Sequence, residues 1–288
     1  MQKVVPMYSL KVENNKGDSI DLSASQNYTL FKVEGLAPPA ASLATTENSV
    51  SDGGVINSAR VGFRNLVLYM TIDGDVEKNR IALYKYFPLK KRVTVYYKNG
   101  TRDVYIEGMV EVIEVDHFER RQQAQVSIIC EQPYFKAVDD LVTTFSDNEA
   151  AFEFPFSIES SGVEISRIVS DVRRSIVNIG DVDTGVVIEL FSLGEVKNPV
   201  IYEINNNLKM KLNFTMKQGD LITIDTRTGK KSIMLTRDGT TTNALGYLSQ
   251  DSGWIIMEPG ENTFTYDVDD GGELLQVTFK TPVLYAGV

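Results

Sequence analysis

The sequence predicts a mainly β protein made of two domains. Short apolar runs with alternating polar residues recur along most of the chain, and turn pairs such as Asn-Gly, Asp-Gly and Thr-Gly separate them. Only one segment has the spacing and the flanking residues of a helix. The length of 288 residues corresponds to about two domains, because single domains usually contain ~100–200 residues.

The one predicted helix spans residues 75–87. Asp75 is a suitable N-cap, and Glu77 lies in the first turn, where the helix dipole favours negative charge. Apolar residues at nearly helical spacing predict a buried stripe formed by Val76, Leu83 and Phe87.

The same region carries the only basic stripe of the sequence. Its six cations fall within 15 residues and are Lys78, Arg80, Lys85, Lys90, Lys91 and Arg92. Tyrosines and a phenylalanine interleave with them, which would suit a nucleic-acid backbone with stacked bases. The other interpretation is a solvated face, or a face that meets acidic residues of a neighbouring subunit. We favour this second interpretation, in either form, over nucleic-acid binding, because the N-terminal half has no net positive charge.

Charge divides unevenly along the chain. Residues 1–135 hold 16 Lys+Arg and 16 Asp+Glu, whereas residues 136–288 hold 13 and 23, which accounts for the whole net charge of −10. A neutral surface can pack against copies of itself, whereas the acidic half repels its own copies and nucleic acid. With a pI near 4.8, specific nucleic-acid binding is not expected.

Two hairpins are predicted in the N-terminal half. Asn99 and Gly100 lie between strand-like runs and predict a type I′ turn, since both residues tolerate a positive φ. A longer hairpin follows, with a charged tip at residues 117–121 and a second strand that ends at Cys130. Such a tip is normal in solvent, and it is also what an arm that reaches a neighbouring subunit would look like.

Two stretches are predicted to lack strands. Residues 37–54 are mostly small and are interpreted as a loop that is mobile or ordered only by a neighbour. Residues 141–157 are acidic and are interpreted as the connection between domains 1–140 and 151–288. Beyond the connection, apolar runs at short intervals predict a β-sandwich. These runs are residues 186–191, 200–204, 208–214, 221–224, 233–235, 264–268 and 274–279.

The sequence contains no arrangement typical of an enzyme or a metal site. His117 is the only histidine, and the usual nucleophile, phosphate-loop and zinc-protease motifs do not occur. The carboxylates of residues 267–273 could suggest calcium, but their spacing departs from the known loop and favours a plain hairpin turn. The single cysteine, Cys130, is expected to be buried. We predict no enzymatic activity, no metal and no cofactor. No segment approaches the ~18 apolar residues of a membrane span, so no membrane contact is expected.

Several motifs of the C-terminal half, in their order, resemble those of one known family. Residues 178–185 read N-I-G-D-V-D-T-G, residues 222–232 read I-T-I-D-T-R-T-G-K-K-S, and residues 258–264 read E-P-G-E-N-T-F. The N-terminal half ends with C-E-Q-P-Y-F at residues 130–135, a boundary familiar in the same family. Over nearly its whole length the chain resembles distal tail proteins, the adaptor components at the tip of long-tailed bacteriophages and related tail-like particles.

This resemblance implies an N-terminal belt domain, with one helix and a long hairpin, and a C-terminal galectin-like β-sandwich. It implies a ring, a homo-hexamer, that joins the tail tube protein to the tail-tip hub or tail-associated lysin and to receptor-binding or fibre proteins. DNA would pass through the ring without specific binding. The protein would be assembled in the cytoplasm of the bacterial host and would reside at the virion tail tip.

Two sets of contact residues follow from these hypotheses. The candidates for the subunit interface come from the helix and from the ends of the two hairpins and are Asp75, Arg80, Tyr84, Asn99, His117, Arg120 and Arg121. The alternative function is a carbohydrate-binding module of a tail tip, for which Trp254, the only tryptophan, would be the stacking platform. The other possibility for Trp254 is a core position, because tryptophan is mostly buried.

Overall fold

The computed structural model describes residues 8–47, 52–119, 121–145 and 173–288. The chain divides into two compact units, Met1–Val138 with Leu284–Val288, and Asp139–Val283. Both units are built mainly of strands, so the fold class predicted from the sequence is confirmed. The domain limits at residues 140 and 151 remain predictions. Among the described residues, no helix is long and apolar enough to cross a membrane.

The first unit consists of one large antiparallel sheet, one helix and a separate two-stranded hairpin. Its elements are β1 (Ser9–Asn14), β2 (Ser19–Asp21), β3 (Tyr28–Glu34), β4 (Ala41–Glu47), β5 (Gly54–Val61), β6 (Arg64–Ile72), α1 (Val76–Tyr86), β7 (Arg92–Lys98), β8 (Asp103–Val115), β9 (Gln123–Cys130), β10 (Phe135–Ala137) and β25 (Leu284–Tyr285). The strand order is β2-β1-β7-β8-β9-β6-β3, β10 pairs with both β8 and β25, and β4 pairs with β5 alone.

The helix forms where the sequence predicts it. The Asp75 side chain accepts a hydrogen bond from the Lys78 amide at 3.3 Å, which caps the first turn. Leu83 and Phe87 are fully buried in the core of the first unit, and Val76 packs at its edge. The sequence analysis did not predict that Asn79 is also buried: its side-chain amide donates to the Asp73 carbonyl at 2.6 Å, so the polar group is satisfied.

The hairpin between β7 and β8 is confirmed, but the predicted turn type is wrong. Neither Asn99 nor Gly100 has a positive φ. The Asn99 side-chain oxygen instead accepts hydrogen bonds from the amides of Thr101 and Arg102 at 2.9 and 2.8 Å. An asparagine that closes the loop with its own side chain removes the need for the left-handed backbone of a type I′ turn.

The loop predicted at residues 37–54 is wrong at residues 41–47, because these form β4, which pairs along its length with β5. Every residue of β4 is exposed, as is nearly all of β5. A hairpin that buries no side chain shows no alternation of apolar and polar residues, so the periodicity of the sequence could not identify it. We call β4 and β5 the arm.

The second unit is a β-sandwich. Its strands are β11 (Leu141–Phe145), β12 (Arg174–Asn178), β13 (Thr184–Gly185), β14 (Val187–Ser192), β15 (Val196–Lys197), β16 (Val200–Glu203), β17 (Leu208–Lys211), β18 (Thr215–Met216), β19 (Leu221–Asp225), β20 (Ser232–Arg237), β21 (Thr240–Asn243), β22 (Ile256–Met257), β23 (Gly260–Asp267) and β24 (Leu275–Thr281), and its 3₁₀ turns are Leu245–Tyr247 and Gly272–Leu274. Each of the seven predicted runs overlaps one of these strands.

Two sheets enclose one apolar core in this unit. The larger sheet has the order β11-β24-β14-β19-β20-β21, and the smaller has the order β12-β23-β16-β17, with short pairs β13–β22 and β15–β18 beside them. Phe264 of the smaller sheet and Phe279 of the larger sheet meet in the core, with ring centroids 4.7 Å apart. Residues of both sheets therefore bury their apolar faces against each other, as a sandwich requires.

The predicted interdomain connection is wrong at its beginning. Residues 141–145 form β11, which pairs with β24 at the edge of the larger sheet. The acidic residues that suggested a loop follow this strand in the sequence, whereas its own residues, Leu-Val-Thr-Thr-Phe, favour extended structure. The rest of the predicted connection, residues 146–157, lies outside the described residues.

Candidate functional site

The helix and the tip of the long hairpin form one surface at one end of the first unit. Thr71, near the end of β6, pairs with Gln123 at the start of β9, so the hairpin tip lies beside the start of α1. The pKa of Glu77 is lowered, first by its hydrogen bond with Arg80 and to a smaller extent by the charge of His117. The candidates Arg80, on α1, and His117, in the hairpin tip, therefore lie at the same end of the first unit. We call this region the helix–tip surface.

Arg80 is held in place within the helix–tip surface. Its guanidinium forms an ion pair with Glu77 and donates a further hydrogen bond to the Tyr84 hydroxyl at 3.2 Å. Both contacts favour the charged form and raise the pKa of Arg80. Asp75, by contrast, is occupied as the helix cap. Of the candidates on the helix, Tyr84 is the one with an exposed aromatic ring.

Half of the predicted basic stripe is neutralised. Arg80 pairs with Glu77, Lys85 pairs with Asp18 at 2.7 Å, and Arg92 pairs with Glu131 at 2.9 Å. Cations that are paired with neighbouring carboxylates attract phosphate groups only weakly. This arrangement favours the interpretation as a solvated or subunit-facing surface.

Apolar side chains rim the same surface. Ile81, Tyr84 and Leu89 are exposed on and just after the helix, and Phe118 at the hairpin tip is fully exposed. Aromatic and aliphatic side chains around a few paired charges are the composition of protein–protein interfaces rather than of solvated surface. The sequence analysis named the charged members of this surface and missed the apolar ones.

The remaining candidates lie elsewhere. β8 contains 13 residues, so its two ends are ~40 Å apart, and Asn99 lies at the opposite end from His117. The Asn99 side chain is occupied by the turn that it closes. Arg121 is exposed beside the hairpin tip. Arg120 lies outside the described residues.

The arm is a second exposed feature, and the sequence analysis did not predict it. Leu43, Val55 and Ile56 expose half or more of their surface along it. A two-stranded hairpin alone in water is marginally stable at best. The arm therefore has the properties of a segment that is stabilised by a partner. The threonines and β-branched residues on both sides of Gly53 and Gly54 are the sequence signal that could have identified it.

A buried arginine anchors the base of the arm. Arg64 donates hydrogen bonds to the carbonyls of Gly35 and Ala37, which precede β4, and to those of Pro133 and Ala286. Its guanidinium also stacks on the ring of Phe135 at 4.7 Å. Four carbonyls from three segments of the first unit thus surround one cation. We call this arrangement the cage.

The second unit holds Trp254, the residue of the alternative function. Its side chain is partly buried and packs against the core of the sandwich. The Lys231 ammonium lies over the indole ring, 5.4 Å from its centroid. One face of the ring therefore already has a cation–π partner. A role for Trp254 in sugar binding stays a prediction.

The carboxylates that could suggest a metal are dispersed. Asp269 accepts a hydrogen bond from the Asn198 side chain at 2.6 Å, and Asp270 forms an ion pair with Lys197 at 3.1 Å. Within the part of the chain that the structure describes, no group of His, Cys, Asp and Glu is placed to hold a metal ion. Cys130 is buried as predicted, and burial raises the pKa of its thiol to about 11.

Comparison with known proteins gives a sequence match within the second unit and fold matches for nearly the whole chain. Residues 179–281, all within the second unit, match the family model of the siphovirus-type tail component, C-terminal domain. No curated protein matches the sequence significantly.

Solved structures match the chain along nearly its whole length. The crystal structure of the phage SPP1 Dit protein, described as a paradigm of the hub adsorption apparatus in phages that infect Gram-positive bacteria, has a TM-score of 0.68 at 12% identity, covering 95% of this chain and 98% of that one. A chain of the phage P2 baseplate in its activated conformation, solved with Ca and with Sr, has a TM-score of 0.53 at 12% identity, covering 96% of this chain and 97% of that one.

These matches confirm the resemblance drawn from the sequence. The family model matches residues of the sandwich in sequence. The solved structures match this chain in fold, and the match covers almost all of their own length. Residues 179–281 thus match the siphovirus-type tail component, C-terminal domain, and over nearly its whole length the chain has the fold of the phage SPP1 Dit protein.

Proposed function

We propose that this protein is a non-enzymatic structural component of a phage tail tip, and that its first unit assembles into a closed hexameric ring. The ring joins the tail tube protein to the tail-tip hub or tail-associated lysin and to receptor-binding or fibre proteins. The family match and the fold support the structural role. The proposed ring is argued from the surfaces of the first unit. An adaptor on a tube must match the rotational symmetry of the tube, which requires a cyclic assembly.

The observation that carries the ring is the separation of two exposed surfaces on the first unit. The base of the arm lies at the Arg64 end of β6, and the helix–tip surface lies at its Ile72 end. β6 contains 9 residues, so the two surfaces are ~30 Å apart. A ring needs two different patches that meet head to tail, whereas a two-fold dimer needs one patch that meets itself. In this proposal the arm of one copy contacts the helix–tip surface of the next.

The division of charge supports the same arrangement. The neutral N-terminal half brings copies together without repulsion, and the acidic second unit stays apart from its copies and faces other tail proteins. DNA passes through the ring without tight binding, because half of the basic stripe is already paired with carboxylates. The protein assembles in the cytoplasm of the host and resides at the virion tail tip.

Native mass spectrometry and electron microscopy of the full chain at high concentration test this proposal. We expect a closed ring for the unaltered protein and a loss of the ring for Ile56→Asp, because this change puts a charge on an arm side chain that is 61% exposed. Ile179→Asp is the matched control, since Ile179 in the second unit is 58% exposed and lies outside both surfaces.

Three results would contradict the proposal. They are a stable dimer with two-fold symmetry, tight binding of duplex DNA at physiological salt, and a ring that Ile56→Asp leaves intact. If the protein is a monomer on its own, the same two variants are compared after the tail tube protein has been added.

A further inference from the structure

A depression of about 870 Å³ lies on the outer face of the smaller sheet of the second unit. Tyr202 of β16 pairs in register with Lys209 of β17 and with Thr265 of β23, so the three side chains form one row. Their neighbours Ile201 and Phe264 point into the core, and the row therefore faces away from it. The sequence analysis and the comparisons assign no role to this row.

Two segments wall the depression, and both are held in place by hydrogen bonds. On one side, Ser249 and Gly253 donate their amides to the carbonyls of Lys211 and Lys209, each at 2.9 Å. On the other side, the buried carboxylate of Glu203 accepts the amides of Asn205 and Asn206 at 3.0 and 2.8 Å. The depression is thus formed before any ligand arrives, which lowers the entropy cost of binding.

The lining offers no unpaired charge. Lys209 and Asp251 form an ion pair across the depression at 2.5 Å, and both oxygens of Glu203 are used by the backbone. A phosphate would find no free cation here, and a metal ion would find no free carboxylate among these described residues. The charges therefore favour a neutral ligand.

Four of the five uncharged polar side chains of the lining are free, by contrast, and the fifth, Ser252, accepts the Lys211 amide at 3.0 Å. The side chains of Tyr202, Asn207, Gln250 and Thr265 line the depression, and none of them makes a hydrogen bond with another described residue. Amides and hydroxyls both donate and accept, as neighbouring hydroxyls of a sugar ring require. The partly buried ring of Tyr202 adds a flat apolar surface against which the C–H face of a pyranose can stack.

We infer that this depression is a binding site for a neutral carbohydrate, with Tyr202 as the stacking ring and with Asn207, Gln250 and Thr265 as hydrogen-bonding groups. The site differs from the Trp254 platform predicted from the sequence, because Trp254 does not line it. It does not depend on ring formation, so the two proposals succeed or fail separately.

Saturation-transfer difference NMR on the full chain tests the inference. The probes are glucose, galactose, rhamnose, N-acetylglucosamine, maltose, lactose and cellobiose, each at millimolar concentration, and the affinity for any sugar that gives a signal is measured by titration. We expect at least one sugar to bind. We expect Tyr202→Ala to weaken that sugar at least about tenfold, and Tyr202→Phe, which keeps the ring, to weaken it less.

Two further variants make the result specific. Gln250→Ala removes an exposed amide that holds no other part of the fold, and it should weaken binding severalfold even if Tyr202→Ala does not fold. Tyr247→Ala removes an exposed tyrosine of the same unit outside the depression and should leave the affinity unchanged. The inference is overturned if no sugar of the panel binds, or if the Tyr202 and Gln250 variants bind as tightly as the unaltered protein.

Discussion

Replacing Arg64 by alanine should destabilise the first unit more than any surface change. Arg64 is 2% exposed and donates to the carbonyls of Pro133 at 2.5 Å, Ala286 at 2.6 Å and Ala37 at 2.9 Å, and also to that of Gly35. Its charge has no carboxylate partner in this cage, and burial lowers its pKa. The four carbonyls are therefore what stabilises the buried cation.

The expected cost follows from these contacts. A hydrogen bond to a charged group contributes ~1.5–3 kcal/mol, but removing the arginine also removes the cost of burying its charge. The net loss of unfolding free energy for Arg64→Ala should be ~3–5 kcal/mol, since truncation leaves buried carbonyls without a donor. Arg64→Lys should cost less but remain above ~1 kcal/mol, because an ammonium has three donors and no planar fork.

Urea unfolding followed by two signals measures this effect. Far-UV circular dichroism reports both units, whereas the fluorescence of Trp254, the only tryptophan, reports the second unit. Arg60→Ala is the control, because Arg60 is exposed on the arm and its loss should cost under ~0.5 kcal/mol. A second readout is hydrogen exchange at the amide of Val288, which donates to the Leu36 carbonyl at 3.1 Å and should open when the cage is lost. If Arg64→Ala costs less than ~1 kcal/mol, or if Val288 stays equally protected, the reasoning is wrong.

Asp220→Asn should destabilise the second unit by ~2 kcal/mol at pH 7, because Asp220 is 1% exposed and pairs with Arg237 through two hydrogen bonds. The hydrogen bond with Arg237 lowers the pKa of Asp220, so the stability that this pair contributes is present above pH ~4 and is lost as the pH falls through the folded-state pKa. Equal urea midpoints for the variant and the unaltered protein at pH 7 would contradict the prediction. The fragment Asp139–Val283 should fold alone as a monomer, and a fragment from residue 151 should be less stable because it lacks β11. Circular dichroism and the mass in solution measure both, and aggregation of the fragment Asp139–Val283 would refute the prediction. Chelation and thiol alkylation should leave the native protein unchanged, because Cys130 is buried; a melting temperature lowered by EDTA would direct attention to Asp267, Asp269 and Asp270 as ligands.

Local patterns predicted most of the elements. The helix was identified because its cap and its apolar stripe are separated by only a few residues, and the strands of the sandwich were identified because each alternates between core and solvent. Both signals lie within one helix or one strand, so they can be read without knowledge of the partner. The same patterns missed β4, which buries nothing, and β11, which was read together with the acidic residues that follow it in the sequence.

What the sequence by itself determined is therefore the class of fold, the resemblance to phage tail components and the division of charge, because each depends on residue types and their order along the chain. The tertiary structure alone decided which surfaces exist. It placed the hairpin tip beside the start of α1, gathered three distant segments around Arg64, and aligned Tyr202 with Thr265 across two strands. These contacts join residues tens to hundreds of positions apart, and strand register and chain path, which no local pattern encodes, bring them together.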